Sequence, residues 1–188
     1  MYKLSVKLYT NIVIIMKKRI IIDSIILMAI SFLIHGVYEM WPNVLTSILF
    51  PVNESIWEHG KLILISFVLL YPIKRFIFKD DANSFSSNII TSILCIALTY
   101  LIFTPIFLYI LKMQDNMVVT IIVYFVCIVL SLIIRELLIR ERLEHDFIGG
   151  VIAFIALLII YGILSYNPIK KPIFYDYKKE IYGINIRA

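Results

Sequence analysis

The residues best suited to chemistry crowd into one short stretch of the chain, FPVNESIWEHGKLIL. It contains Glu54, Glu58 and His59, and a second histidine, His35, lies upstream with Glu39 four positions after it. Imidazole and carboxylate groups are ligands for Zn, Mn or Fe, and both also act as general acids and bases. We therefore predict a divalent-metal site or an acid–base site built from these side chains.

In the metal hypothesis His35 and His59 are ligands, and Glu39 or Glu54 completes the coordination shell of a divalent ion such as Zn. The predicted catalytic residues are Glu54 and Glu58, with Glu58 as the general base that activates a water molecule. The spacing matches no zinc signature such as H-E-x-x-H, so the pattern has low specificity. Five further polar residues are expected to bind the substrate or ligand: Asn53, Ser55, Lys61, Tyr38 and Asp176.

The same stretch also has a purely structural interpretation. Ser55 and Glu58 fit an S-x-x-E capping box at the start of a helix, with Asn53 as an alternative cap. Trp57 suits an anchor at the membrane interface, and Lys61 suits a side chain that extends to the lipid headgroups. These roles do not account for the two histidines and the first glutamate of the stretch, so both interpretations stay open.

The composition places these residues in a membrane protein. The chain is 61% hydrophobic and 16% charged, whereas soluble domains are about 45–50% apolar and about 25% charged. The net charge of +5 is then a signal of membrane topology rather than of nucleic-acid binding. Cys95 and Cys127 lie in apolar runs, where a disulfide is not expected.

Five membrane-spanning helices are predicted, which makes the fold an all-α integral membrane bundle. They cover approximately residues 20–40, 55–73, 88–111, 117–138 and 147–166. Residues 1–19 are then a cytoplasmic segment, residues 20–166 the transmembrane domain, and residues 167–188 an aromatic-rich tail outside the cell. A short helix lying in the membrane interface is predicted between the first two spans, where apolar residues recur at helical spacing: Val44, Leu45, Ile48 and Leu49.

The distribution of basic residues predicts the orientation in the cytoplasmic membrane. With the N-terminus inside and the C-terminus outside, 11 of the 18 Lys and Arg residues fall on the cytoplasmic side. The polar stretch then lies at the outer face, where the second span enters the bilayer. At the opposite face, Asp23 is expected to pair with Lys17 or Arg19. Met16 with the basic residues after it resembles a membrane-protein start, so one hypothesis treats residues 1–15 as an extension.

The polar stretch resembles the signature of an uncharacterised family of small bacterial multi-pass membrane proteins, a domain of unknown function with the pattern P-V-N-E-S-x-W-E-H-x-K. The match runs through Pro51–Lys61 and continues at His35, Tyr38, Phe174, Asp176, Tyr182 and Gly183. The resemblance implies a multi-pass membrane fold and no established activity. The family's tail pattern carries a histidine between its prolines, where this chain has Lys170 and Lys171. That departure weakens the metal hypothesis for this chain.

Three classes of function follow from these observations. The first is a metal-assisted hydrolase or transferase, embedded in the bilayer and acting on a lipid-like or envelope substrate. The second is a non-enzymatic membrane module, either an accessory subunit with a membrane-protein partner or a binder of a lipid or small ligand. A transporter or channel is disfavoured, because no span carries a line of mid-membrane charges and no inverted repeat is visible. The sequence does not fix the oligomeric state.

Overall fold

The computed structural model describes residues 2–79, 84–112, 116–139 and 147–184, with side chains described inside residues 13–137 and 147–184 of those ranges. In chain order, the α-helices are α1 (Tyr2–Ile34), α2 (Val37–Met40), α3 (Val44–Leu49), α4 (Ile56–Pro72), α5 (Phe85–Pro105), α6 (Met117–Ile134) and α7 (Phe147–Tyr166). Helix α1 passes through residue 19 without a break, so the predicted cytoplasmic segment and the first span share one helix.

Helical turns of the π type extend three of these helices. They follow α4, α5 and α6 at Ile73–Ile77, Ile106–Ile110 and Arg135–Ile139. Pro72 and Pro105 directly precede the first two of these turns. Because proline has no backbone N–H, it interrupts the α-helical hydrogen-bond pattern at that point.

Within the described residues, four helices are long and apolar enough to cross a membrane: Val13–Met40, Phe85–Ile110, Met117–Leu137 and Phe147–Tyr166. They coincide with the first, third, fourth and fifth predicted spans, and the chain is a helical membrane protein. The second predicted span corresponds to α4, which has 17 residues and carries Glu58 and Lys61 in its first turns. The helices α1, α4, α5, α6 and α7 alternate in direction. We call the end where α1 finishes and α4 begins the site end, and the opposite one the far end.

Large apolar side chains cover the outside of the bundle, while small polar ones lie inside it. Leu101, Ile122 and Ile155 are exposed, as expected for surfaces in contact with lipid tails. Among the described residues, the small polar side chains with no exposed surface include Ser66, Thr91, Ser92, Ser131 and Ser165. Because lipid tails are as apolar as leucine, helices in a bilayer associate through close packing and interhelical hydrogen bonds. The fold therefore places its polar groups between helices.

A buried ion cluster joins four helical segments at the far end. Asp23 of α1 is 1% exposed; its carboxylate pairs with Lys74 Nζ at 2.8 Å and with the Arg135 guanidinium. Arg135 also bonds the side chain of Asn88 in α5 at 3.4 Å and pairs with Glu136 at 3.0 Å. The sequence predicted pairing of Asp23 with nearby basic residues of its own helix. The structure instead shows partners more than 50 residues away, because α1, the π turn after α4 and the end of α6 converge there.

A short helix does form between the first two long helices, at α3. Asn43 caps it, since its side chain accepts from the Thr46 backbone N–H while the Thr46 hydroxyl accepts from the Asn43 N–H. Val44 and Leu45 are each 65% exposed, whereas Ser47 is buried. Val44 and Leu45 therefore point away from the bundle, whereas Ile48 and Leu49 are half-buried and pack against it beside the inward-facing Ser47.

The C-terminal tail folds back over the site end. A 3-10 helix at Pro172–Phe174 leads into strands β1 (Tyr175–Asp176) and β2 (Ile181–Tyr182), which pair antiparallel with Tyr175 opposite Tyr182. This hairpin is a small correction to the all-α expectation. The tail then returns to α7, where the Ile184 N–H donates to the Ser165 carbonyl at 3.0 Å.

Aromatic rings pack around the start of α4. Trp57 contacts Tyr161 and Phe174 with ring centroids 4.9 and 4.8 Å apart, so it anchors the tail to the bundle rather than extending to headgroups. The Tyr100 hydroxyl donates to the Trp57 carbonyl at 2.9 Å and lies 3.0 Å from the Tyr161 hydroxyl. A Cβ at Gly60 would overlap both tyrosine hydroxyls. Only glycine fits beneath this pair.

The substitution Gly60→Ala is expected to destabilise the protein by about 1–3 kcal/mol, the usual cost of overpacking a close-packed interior. Gly36→Ala is the matched control, because a Cβ at Gly36 would meet no other atom within 4 Å. The measurement is the midpoint of unfolding by denaturing detergent for each purified variant. Equal midpoints for the two variants would contradict the packing described around α4.

Candidate metal site

Three predicted ligands meet at the site end. His35, Glu54 and His59 each offer a ligand atom, and these atoms all lie within 4.8 Å of one another. Both imidazole Nε2 atoms are 3.6 Å from Glu54 Oε2. That separation exceeds a hydrogen bond, whereas zinc bonds of about 2.0–2.1 Å in tetrahedral geometry would place neighbouring ligand atoms about 3.3 Å apart. The spacing of the three side chains therefore suits a shared ion.

A backbone hydrogen bond orients His59 toward this point. Its Nδ1 lies 2.8 Å from the carbonyl oxygen of Ser55, one helical turn earlier. Since a carbonyl only accepts, Nδ1 carries the proton in this contact, and Nε2 is the ring nitrogen that faces Glu54 and that the neutral imidazole can offer as a ligand. Metal-binding histidines are commonly held in this way by a hydrogen bond on the other ring nitrogen. Ser55 is also the N-cap of α4, because its hydroxyl accepts from the Glu58 N–H at 3.3 Å.

The C-terminal tail fixes the loop that presents Glu54. The Glu54 backbone N–H donates to Asp176 Oδ2 at 2.9 Å, and Asp176 is fully buried. Its other oxygen accepts the N–H groups of Lys178 and Lys179 in the hairpin turn. Asn53 accepts from the Ser55 N–H and donates to the Gly183 carbonyl, both at 2.9 Å. Asn53 and Asp176 thus position the loop through their own hydrogen bonds.

Glu39 lies outside the group of three. Its carboxylate pairs with Lys179 Nζ at 2.6 Å, and that hydrogen bond raises the pKa of Lys179 above its ordinary value. Tyr38 is half-buried on α2 and does not line the cavity described below. Of the two glutamates considered for the shell, Glu54 is the one that the fold brings to both histidines.

Glu58 and Lys61 form a buried ion pair on another side of α4. The Glu58 Oε2–Lys61 Nζ distance is 2.7 Å, and the two side chains are 2% and 0% exposed. Lys61 also donates to the Ser47 carbonyl at 2.6 Å and to Ser165 Oγ at 2.7 Å. Glu58 accepts from the Val52 N–H at 3.1 Å and from Ser165 Oγ at 2.6 Å. The pair therefore ties α3 and α7 to the first turns of α4.

These contacts change the expectations for three residues. Lys61 does not extend to the headgroups, because its ammonium is enclosed by protein. Both oxygens of Glu58 are occupied by Lys61, Ser165 and a backbone N–H, so Glu58 does not fit the predicted role of general base. The capping box is only half formed, since Ser55 accepts from Glu58 but the Glu58 carboxylate turns away. Ser165 was missed, although an isolated serine in the apolar last span is a usable signal of an interhelical hydrogen bond.

A cavity of about 480 Å³ begins at the three ligands and continues into the bundle. His35, Glu54 and His59 line its mouth together with Tyr175, Asp176 and Lys178 of the tail. Its deeper walls are mostly apolar and come from four helices, with residues such as Met28, Phe32, Ile63, Phe103, Ile121 and Val123. The mouth is polar and the interior is apolar, as in sites that bind small amphiphilic molecules.

The fold and this arrangement define a helical membrane protein with a histidine–carboxylate cluster at one end of its bundle. The chain belongs to DUF6512, a family of unknown function whose model matches residues 8–184. The predicted membership in a family of unknown function is therefore confirmed. No curated protein and no solved structure matches the chain.

Removing one partner of the buried pair should cost far more than removing both. Lys61→Met leaves the Glu58 charge buried alone, so we expect a loss of about 3–5 kcal/mol in the free energy of unfolding. The double variant Glu58→Gln/Lys61→Met should be more stable than the sum of the single losses implies, by about 0.5–3 kcal/mol. Unfolding titrations of the wild type, Glu58→Gln, Lys61→Met and the double variant in denaturing detergent measure this coupling. Strictly additive losses would contradict a structural ion pair.

Proposed function

We propose that this protein crosses the cytoplasmic membrane five times, with its N-terminus inside and its site end outside. Helix α4 adds a crossing to those of the four long apolar helices. With its π-helical extension it runs from Ile56 to Ile77, about 33 Å at 1.5 Å per residue. The basic residues support the orientation, since Lys74, Arg75 and Lys79 follow α4 at the far end. The exposed Val44 and Leu45 of α3 support its position in the outer interface.

This topology gives a direct labelling test. Lys79 and Lys171 are exposed at opposite ends of the bundle, while Cys95 and Cys127 are fully buried. A membrane-impermeant thiol reagent should label Lys171→Cys in intact cells, and should label Lys79→Cys only after the cells are opened. Labelling in the reverse pattern would place the site end in the cytoplasm. Labelling of both in intact cells would contradict the three crossings that α5, α6 and α7 make between these two positions.

The function that the geometry supports best is that of a metal-assisted hydrolase or transferase acting on a lipid-like substrate. The observation that carries it is the pair of 3.6 Å separations between Glu54 and the two imidazoles, at the mouth of a largely apolar cavity. Two histidines and one carboxylate leave a fourth position open, which is the ligand set of hydrolytic zinc sites. Ionisable groups facing a cavity in a membrane protein are also costly, and so they suggest a functional site.

In this proposal each side chain has a distinct role. His35 and His59 would hold the ion through Nε2, and Glu54 would hold it through one carboxylate oxygen. A divalent ion held there would supply activation of a water and polarisation of a carbonyl or phosphoryl oxygen. The second oxygen of Glu54 is the candidate general base in place of Glu58. Asp176 and Asn53 hold the loop without contacting the reacting atoms.

Metal content measured by elemental mass spectrometry tests the site itself. We expect near-stoichiometric divalent metal in the protein purified in mild detergent, and its loss in His59→Ala and in Glu54→Gln. The matched control is Glu39→Gln, which removes a carboxylate close to the site that the structure pairs with Lys179, and it should keep its metal. Elution volume and unfolding midpoint show whether each variant is folded. A folded Glu54→Gln variant that retains full metal would contradict the proposed ligand set.

Activity is tested separately on ester and phosphoester lipids presented in mixed micelles. Turnover should disappear with a chelator, return with added zinc, and be absent in Glu54→Gln.

The alternative function is a non-enzymatic membrane module. The full use of Glu58, Lys61, Asn53 and Asp176 in structural contacts favours it, because these residues of the polar stretch and tail already have an architectural role. Metal-free wild-type protein without lipid turnover would support this alternative over the hydrolase.

A further inference from the structure

We infer that the cavity holds the acyl chain of an anionic lipid, which enters from the membrane between α1 and α6. This inference rests on the proposed function for its reaction and for part of the positive charge at the mouth. The acyl-chain site stands on separate observations, namely the course of the cavity and the saturation of its internal hydroxyls.

The cavity extends from the outer mouth toward the bilayer centre along α1 and α6. Its lining on α1 runs from His35 back to Met28, and its lining on α6 runs from Met117 to Tyr124. Seven residues of helix correspond to about 10 Å of depth. Phe32 of α1 and Met117 of α6 line the cavity and are nevertheless 56% and 68% exposed. On its α1 and α6 side, the cavity is therefore lined in part by large apolar side chains that keep much of their surface open to contact.

The hydroxyls that Ser31 and Tyr124 present to the cavity do not require a polar ligand. Ser31 Oγ donates to the Leu27 carbonyl at 2.8 Å, because a carbonyl only accepts. The hydroxyls of Ser66 and Tyr124, 2.8 and 2.6 Å from Ser31 Oγ, must then be the donors toward it. All three hydroxyl protons are used within the protein. A hydrocarbon chain can consequently lie beside this cluster without leaving a buried donor unpaired.

The mouth of the cavity favours a negatively charged headgroup. Lys178 lines it from the tail and is exposed, while its backbone N–H is held by Asp176. The two carboxylate oxygens of Asp176 accept three backbone N–H groups, so Asp176 repels an anion less than a free carboxylate would. A metal held by His35, Glu54 and His59 would offset the Glu54 charge at the mouth and add positive charge there beside Lys178. The occupant is thus a phospholipid of the outer leaflet with net negative charge.

Photo-crosslinking of the intact protein in nanodiscs tests this inference. The probe is phosphatidylglycerol carrying a diazirine on one acyl chain, and mass spectrometry locates the modified residues. We expect labelling of cavity residues such as Met28 and Phe103. Ile121→Trp fills the cavity and should lower that labelling about tenfold, because the chain loses its apolar contacts. The matched control is Ile122→Trp, at the neighbouring residue, which is 56% exposed and does not line the cavity.

The headgroup preference is tested with a second pair of variants. Lys178→Gln should reduce cavity labelling by the phosphatidylglycerol probe but not by the corresponding phosphatidylcholine probe. Lys171→Gln, which removes an exposed cation elsewhere in the tail, should change neither.

Equal labelling in Ile121→Trp and Ile122→Trp, or labels found only on the outer surface, would overturn the inference. Cavity labelling in a metal-free protein would uphold lipid binding while removing the proposed hydrolase. Stoichiometric metal without cavity labelling would uphold the proposed metal site while overturning lipid binding in the cavity.

Discussion

The buried ion pair between Glu58 and Lys61 is the interaction on which the site end depends. Taking both charges out of contact with solvent is costly, and the cost is met only because every polar atom of the pair has a partner. Those partners come from three places: the α3 carbonyl of Ser47, the Ser165 hydroxyl of α7, and the N–H of Val52 in the loop before α4. The pair therefore determines where α4 begins and how α3 and α7 lie against it.

A second constraint comes from the tail, which completes the site over a long sequence separation. Asp176 holds the backbone of Glu54, and Gly183 accepts from Asn53, so the loop carrying the central ligand is held by residues more than 120 positions away. Gly183 has a positive φ of 61°, a conformation that glycine adopts without strain. Its close approach to the Ser165 carbonyl leaves no room for a side chain. The polar stretch and the tail thus act as one structural unit.

What the sequence predicted well depended on local properties of the chain. Hydropathy located four long apolar helices, and residue type drew attention to the two histidines while leaving Glu39 and Glu54 as alternatives beside them. Predictions failed where a distant segment decides the outcome. From its position near a membrane interface, Lys61 is expected to extend to the headgroups. In the fold, however, Ser165 and Ser47 bind its ammonium inside the protein. Asp23 has basic neighbours on its own helix, yet Lys74 and Arg135 reach it through the packing of other helices. Local rules contain no information about such partners.

The density of polar residues in the stretch follows from helix geometry. Successive residues of an α-helix are separated by 100°, so Glu58 and Lys61, three positions apart, share one side, while Ser55 and His59, four apart, share another. The first side faces α3 and α7 and is closed by the ion pair; the second faces the end of α1 and the cavity. Each side needs polar residues for its own reason, one to join helices and the other to present an imidazole. Two unrelated requirements on the same turns of α4 therefore produce the single motif seen in the sequence.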